Sequence, residues 1–564
     1  MEFADRYIHL LLKNFQMKFI VTLLAFIYTC QVFSQTRQDS LLVIKQSLQL
    51  IDLDFTEPEL DSMLDDVKQN TRIYANMHKQ YPPNNLAYPF AFNPAPYGFK
   101  IPQNQQKIVW DIPKNIALPT NRNDLAFYSI PQLASLIKNK KISSTELTIF
   151  FLDRLKKWGD TLECVITLTE ELAMQQAKQA DLDLAKGIYR GPLHGIPYGL
   201  KDLFAVKGYR TTFGSTPYKD QVLDENAYVY TKLTEAGAVH CAKLSLGALA
   251  YDNIWFGGFT RNPWNLAQGS SGSSAGSAAA TVAGLLPFAI GTETLGSIIS
   301  PSTRTGATGL RPTFGTVSRS GAMVLCWSLD KIGPICRSAE DAAIVYHFIH
   351  GTDEKDAGSV NHAFNYNGKQ DIKKLRIAFA DNYFQRLPKD AMEWSVLETY
   401  RAMGVELTPV QFPDSLYPFN IVSLVLNAES AAAFDELTRD NRDDLIERQD
   451  KDFWPNSFRT ARLIPAVEYI NANRYRYKLM EGIHSFMQNY DVVIVPTYMG
   501  RQLSITNLTG HPAVVMPMGF NQSGLPQSIT LLGNLYDEAS VLAAAKAFQQ
   551  ATDHHQQHPP KFAH

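Results

Sequence analysis

Two periodicities alternate along most of this chain. Short apolar runs such as Leu285–Ile290 and Val492–Val495 have the length of buried strands. Between such runs lie amphipathic stretches with a helical repeat. Thr169–Lys186 puts Ala173, Ala177, Ala180 and Leu184 on one face, and Gly187 follows as a stop. Ser143-Ser144-Thr145-Glu146 sets Ser and Glu three apart, a capping box that predicts a helix running to about Trp158. Ala278–Gly284 is a small-residue helical pattern leading straight into the 285–290 run. The alternation, which begins at Leu125, argues for an α/β fold with a mixed β-sheet. Upstream, 35–124 reads as a helical arm and a Pro-rich linker. Its helical patterns cover Ser40–Leu53 and Glu57 to about Lys79, and Pro82-Pro83-Asn84-Asn85 ends the second. No internal repeat is visible.

The first residues have a different texture. Met17-Lys18 precedes the apolar stretch Phe19–Thr29, and Ser34 stands near its end. A basic start, an apolar core and a small residue describe a signal peptide over 1–34, with 1–16 as an upstream extension of the Met17 start. The stretch is shorter than the roughly 20 apolar residues of a membrane span. The expectation is therefore an exported protein, periplasmic or secreted, without a stable membrane span. Cys30 is a weaker candidate for lipidation, because Ile27-Tyr28-Thr29 leads into it poorly.

Of 564 residues, 53 are basic and 55 acidic, which argues against a basic face for nucleic acid. Beyond Cys30, the cysteines are Cys164, Cys241, Cys326 and Cys336, with no close pair and no histidines at metal spacing. That excludes a disulfide framework and a zinc site, while leaving a single disulfide open. His554-His555 and His558 invite a metal reading, but a polar tail explains them more simply.

The candidate chemistry sits in three segments. Gly269–Ser277 is almost entirely Gly and Ser, yet it runs directly into a helix and a strand, as a linker has no need to do. Glycines in that setting let backbone N–H groups approach a ligand. Gly291-Thr292-Glu293-Thr294-Leu295-Gly296-Ser297 follows the next apolar run, and loops after strands are where open α/β sheets bind ligands. Upstream, Gly195-Ile196-Pro197-Tyr198-Gly199-Leu200-Lys201-Asp202 ends a Gly- and Pro-punctuated strand on a lysine. A desolvated lysine loses its proton readily and becomes a usable base. A serine hydroxyl needs such a neighbour to become a nucleophile.

Together these segments resemble the amidase signature family. Its members carry G-I-P-x-x-x-K-D, a G-S-S-[GA]-G-S-A-A-A loop and a G-T-[DE]-T-x-G-S loop, in that order. Ser273 precedes Ser297 by the family's 24 residues. The likeness extends through Asn262-Pro263-Trp264-Asn265, Gly309–Gly315, Leu329–Pro334, Asp491–Thr497 and Asn507–Pro512. The resemblance implies an α/β domain over 125–555, a central mixed β-sheet flanked by helices on both faces, with a tail at 556–564. It also implies a cofactor-free, metal-free amidase that cleaves a carbon–nitrogen amide bond through an acyl-enzyme. Ser297 would be the nucleophile, Lys201 the base, and Ser273, after a cis peptide bond, the relay between them. Ser274 would support Lys201. The backbone N–H groups of Thr294, Leu295, Gly296 and Ser297 would form the oxyanion hole, whose donors are typically worth about 3–4 kcal/mol each.

Two departures bear on the substrate. Leu295 stands where the family usually has a second glycine. Ile298-Ile299 follows the serine where many members have Ile-Arg, and some of those bind a substrate carboxylate with that arginine. Arg304 is a candidate substitute. The expected substrate is therefore a neutral or peptide-like small-molecule amide. One alternative is a non-catalytic or amidotransferase-like subunit of the same fold, a fold that also serves complexes modifying aminoacyl-tRNA. The other is an α/β-hydrolase, because Gly272-Ser273-Ser274-Ala275-Gly276 satisfies G-x-S-x-G with Ser274 on the elbow. That elbow needs a strand directly before it, and Asn262–Gly272 reads as a loop. His194, His511 and Asp202 are expected to support loops.

Overall fold

A computed structural model of the protein describes Met17, Thr22 and residues 37–79, 83–84, 86, 90–418 and 420–564. Apart from Met17 and Thr22, the expected leader lies outside the described residues, and so does Cys30. No helix among the described residues is long and apolar enough to cross a membrane.

The chain forms two compact units. One comprises Met1–Pro82 with Leu463–Pro465, and the other Pro83–Arg462 with Ala466–His564. The first contains helix α1 (37–49) and helix α2 (Glu57–Met77), close to the expected spans. Arg37 pairs with Asp61 at 2.6 Å, and Leu60 and Leu64 are buried. The Pro-rich stretch from Pro83 onward is part of the second unit.

The second unit is built on one mixed sheet of eleven strands. They are β1 (Val165–Leu168), β2 (Pro197–Lys201), β3 (Val239–Leu244), β8 (Phe288–Glu293), β9 (Thr308–Arg311), β10 (Lys331–Cys336), β11 (Ile377–Ala380), β12 (Leu407–Val410), β13 (Val492–Pro496), β14 (Ala513–Phe520) and β15 (Pro526–Gly533). Their order is β1-β3-β2-β8-β10-β9-β14-β15-β13-β11-β12. Between β3 and β8, two hairpins stand outside this sheet: β4 (Ile254–Trp255) with β5 (Gly258–Phe259), and β6 (Arg261–Asn262) with β7 (Asn265–Gly269). Part of the stretch read as a loop before Gly272 is therefore a hairpin. Asn262 and Asn265 pair across it, so the Pro263-Trp264 turn closes a ladder that periodicity cannot reveal.

Helices α3 (Ile130–Lys138), α4 (Ser144–Leu162), α5 (Glu170–Ala185), α6 (Tyr228–Glu235), α7 (Ala275–Val282), α8 (Ile299–Thr305) and α9 (Ala339–Ile349) flank the sheet with others further along. The capping box forms as the sequence requires: Glu146 N–H donates to Ser143 Oγ at 3.0 Å, and Ser143 N–H to Glu146 Oε2 at 2.9 Å. Of the expected face of α5, Ala173, Ala177 and Ala180 are buried and Leu184 is half-buried, while Asp183 beside it is buried too.

The pairing of two strands places the chemistry. β2 and β8 are neighbours and parallel, with Tyr198 opposite Phe288 and Leu200 opposite Ile290. Both therefore end on the same edge of the sheet, β2 at Lys201 and β8 at Glu293. Helix α7 runs back between them, so the Gly/Ser loop at its N-terminus returns to that edge as well. Antiparallel β10 sets Lys331 opposite Glu293 and brings Asp330 alongside.

Candidate active site

Lys201 is fully buried at the end of β2. Its Nζ donates to Ser273 Oγ at 2.8 Å, Ser274 Oγ at 3.1 Å and Thr292 Oγ1 at 2.8 Å. Desolvation outweighs the opposing pull of Asp330 and Glu293 and lowers its pKa to about 7. The segments that carry Lys201, Ser273 and Ser274 lie far apart in sequence and meet here.

The Gly/Ser loop is shaped by close approach. The Gly272–Ser273 peptide bond is cis. A Cβ on Gly272 would sit 1.8 Å from Asp252 O, so no other residue fits. Ser273 and Ser274 are buried. Ser274 Oγ donates to Thr292 O at 3.0 Å and accepts from Thr292 N–H at 3.1 Å, which ties this loop to β8. Ser274 N–H donates to Ser297 O at 3.2 Å and draws the third segment in.

Ser297 is half-buried, in contrast to Lys201, Ser273 and Ser274, so it is the member of the set that solvent reaches. Its loop is held from both sides. Glu293 is fully buried and accepts from Ile298 N–H and Ile299 N–H, each at 2.9 Å. Burial raises the Glu293 pKa, but Arg311 at 3.0 Å, Lys331 and these donors bring it below the usual carboxylate value. Thr294 Oγ1 donates to Asp330 Oδ1 at 2.6 Å. Among the described residues, no acceptor faces the N–H groups of Thr294, Leu295, Gly296 or Ser297. The loop therefore presents a run of donors to whatever lies above it.

The departures have physical explanations. Gly296 has φ of 85°, which favours glycine, whereas Leu295 has no such conformation to satisfy. The Leu295 side chain packs against the core around Ile299, Val425 and Leu508 instead. Ile299 is buried in the same cluster and offers nothing to a carboxylate. Arg304 is committed elsewhere, donating to Gln268 Oε1 at 2.7 Å.

Thr292, Glu293 and Asp330 were not singled out by sequence reasoning. The signal was present for Thr292 and Glu293, which occupy the end of an apolar run inside a quoted motif. Asp330 was visible only as part of a longer resemblance. A cavity of about 210 Å³ opens beside the loop, with Thr292 and Thr294 in its wall.

The other candidates bond to groups outside this set. Asp202 pairs with Lys243 at 2.7 Å and accepts from Thr212 N–H at 2.9 Å. His194 Nε2 contacts Ala180 O at 2.9 Å, and His511 Nδ1 contacts Thr509 Oγ1 at 2.8 Å. His558 stacks on Phe127 at 4.0 Å. Cys164, Cys241, Cys326 and Cys336 are all buried and free, so the disulfide left open by the sequence does not form among them. Ser274 is buried with its hydroxyl bonded to β8, unlike the exposed elbow serine of an α/β-hydrolase.

The amidase family model matches residues 146–506. The chain belongs to the amidase family. It is 34% identical over 480 residues to a glutamyl-tRNA(Gln) amidotransferase subunit of Geobacillus kaustophilus, covering 77% of this chain and 99% of that one. The corresponding subunit of Coxiella burnetii is 32% identical over 479 residues, covering 76% and 99%. Among solved structures, the peptide amidase of Stenotrophomonas maltophilia superposes with a TM-score of 0.69 at 28% identity, over 78% of this chain and 99% of that one. As an amidase family member, the protein is an enzyme acting on amides, and the segment that carries Lys201, the Gly/Ser loop and the Ser297 loop lies within the matched residues.

Proposed function

We propose that this amidase hydrolyses a neutral amide through an acyl-enzyme on Ser297. The observation that carries the reading is a buried lysine, poised near neutral pH, with Nζ 2.8 Å from the hydroxyl of Ser273. The Ser274 hydroxyl proton is engaged by Thr292 O, so Ser273 is well suited to donate to neutral Lys201. Ser273 then accepts the Ser297 proton while Ser297 Oγ attacks the amide carbonyl. The N–H groups of Thr294–Ser297 receive the negative charge on oxygen. The carbon–nitrogen bond breaks as the proton returns through Ser273 to the leaving nitrogen. Water, deprotonated by the same relay, releases the acid and frees Ser297. The buried Ile299 favours an amide without a second carboxylate.

Labelling with a fluorophosphonate and mapping the modified peptide tests the assignment. An adduct on Ser297, with Ser297→Ala inactive towards every amide that the parent cleaves, supports it. An adduct on Ser274 overturns it. The similarity to the amidotransferase subunits favours a second reading, a chain that passes the amide nitrogen to a partner. Ammonia release by the purified chain alone distinguishes hydrolysis from that role.

Export accompanies this reading, supported by the basic-then-apolar pattern of 17–34. The intact mass of protein from the producing cell is expected to begin near Gln35, and retention of Met17 overturns it.

A further inference from the structure

The cavity beside the Ser297 loop has a wall from outside the matched family region. Leu203, Met323, Leu325 and Trp327 line it from the body of the fold, and Leu86 and Phe90 line it from the segment upstream. The family match begins only at residue 146. Leu86 is 55% exposed and Phe90 77%, two large apolar side chains with most of their surface in water at the edge of a hollow. Contact with an apolar ligand would remove that surface from water.

Asn84, two residues before Leu86, is bonded to the cavity wall. Asn84 Nδ2 donates to Val324 O at 3.0 Å and to Ala433 O at 3.2 Å, and Val324 N–H donates back to Asn84 Oδ1 at 2.9 Å. Val324 itself lies in the cavity wall between Met323 and Leu325. The charges in the lining are largely spoken for. Arg319 grips Asp356 through Nε and Nη2, each at 2.7 Å, and Asp330 accepts from Thr294, Leu325 and Cys326. Lys355 is exposed to solvent. At about 210 Å³ the space exceeds the roughly 150 Å³ cavity that holds a benzene ring.

We propose that Leu86 and Phe90 are specificity-determining residues, and that the cavity receives an uncharged apolar group of the amide, a phenyl ring or short alkyl chain. This rests on the Ser297 loop being the reacting centre, since the cavity is defined by its position beside Thr292 and Thr294. The selectivity is read as binding, in Ser297→Ala protein, by titrating acetamide, hexanamide and succinamate with ligand-observed NMR. Hexanamide is expected to bind more tightly than acetamide and succinamate. Adding Leu86→Ala or Phe90→Ala should weaken hexanamide about fourfold, the worth of roughly one buried methylene, and leave acetamide within twofold. The melting temperature of the Leu86 variant should match its parent, because that side chain is largely exposed.

Equal binding of hexanamide and acetamide overturns the proposal, as does tighter succinamate binding. So does an equal loss for all three ligands in the Leu86 and Phe90 variants, or no loss at all. Because no turnover is needed, an error in the nucleophile assignment shows separately, as fluorophosphonate labelling away from Ser297.

Discussion

Lys201 spends its life in a place that disfavours its charge. Burial lowers its pKa from 10.5 to about 7, so folding must either strip a proton from it or bury an ammonium. The unfolded chain holds that proton between pH 7 and 10.5 while the folded one does not. Lys201 therefore costs most stability below pH 7, and the cost fades as pH rises towards 10.5. Lys201→Met should melt at an increasing advantage over the parent as pH falls from 10 to 7, levelling off below, when paired thermal scans are run across that range. The same protonation predicts the rate. kcat/KM should fall about tenfold per pH unit below 7, because only the neutral amine accepts a proton. A flat profile from pH 5 to 8 would remove Lys201 as the base.

The decisive element is the turn between β8 and α8. Gly296 supplies the left-handed backbone, and Glu293 holds the two N–H groups that follow Ser297. Glu293 also neutralises Arg311, which is equally buried. Removing one partner of a buried pair leaves the other charge uncompensated, at a cost of about 3–5 kcal/mol. Glu293→Gln should therefore lose about 3 kcal/mol in urea unfolding. It should also lower kcat more than KM, because a loosened turn no longer aims its N–H groups at the oxyanion. Unchanged kcat in a folded Glu293→Gln protein would show that the carboxylate only stabilises the fold. The capping box of α4 and the alanine face of α5 were legible in sequence because both depend on neighbours three or four residues apart. The β6–β7 hairpin was not, since its pairing is short and lacks alternating apolar positions.

At the scale of the molecule, the segment 90–124 is bonded into the body of the second unit. Gln105 Nε2 donates to Phe364 O at 2.7 Å, Val109 N–H to Tyr366 O at 3.2 Å, and Asp111 pairs with Lys546 at 2.9 Å. The reference is a chain starting at Pro83, which keeps these contacts. One starting at Leu125 loses these contacts and should melt at least about 5 °C lower. Equal melting of the two truncated chains would mean that the segment adds nothing to the fold.

The sequence by itself determined the alternation of strand and helix and singled out the three loops with Lys201, Ser273 and Ser297 as candidates, because motif spacing and local periodicity are written in neighbouring residues. It also placed Leu295 and Ile299 as departures from the family pattern. Only the tertiary structure decided that these loops meet, because parallel pairing of β2 and β8 brings their ends to one edge of the sheet. It decided, too, that Leu295 turns into the core, that Glu293 and Asp330 grip the turn, and that Leu86 and Phe90 line the cavity beside it. Each of these depends on burial and on contacts between residues distant in the chain, which local pattern does not encode.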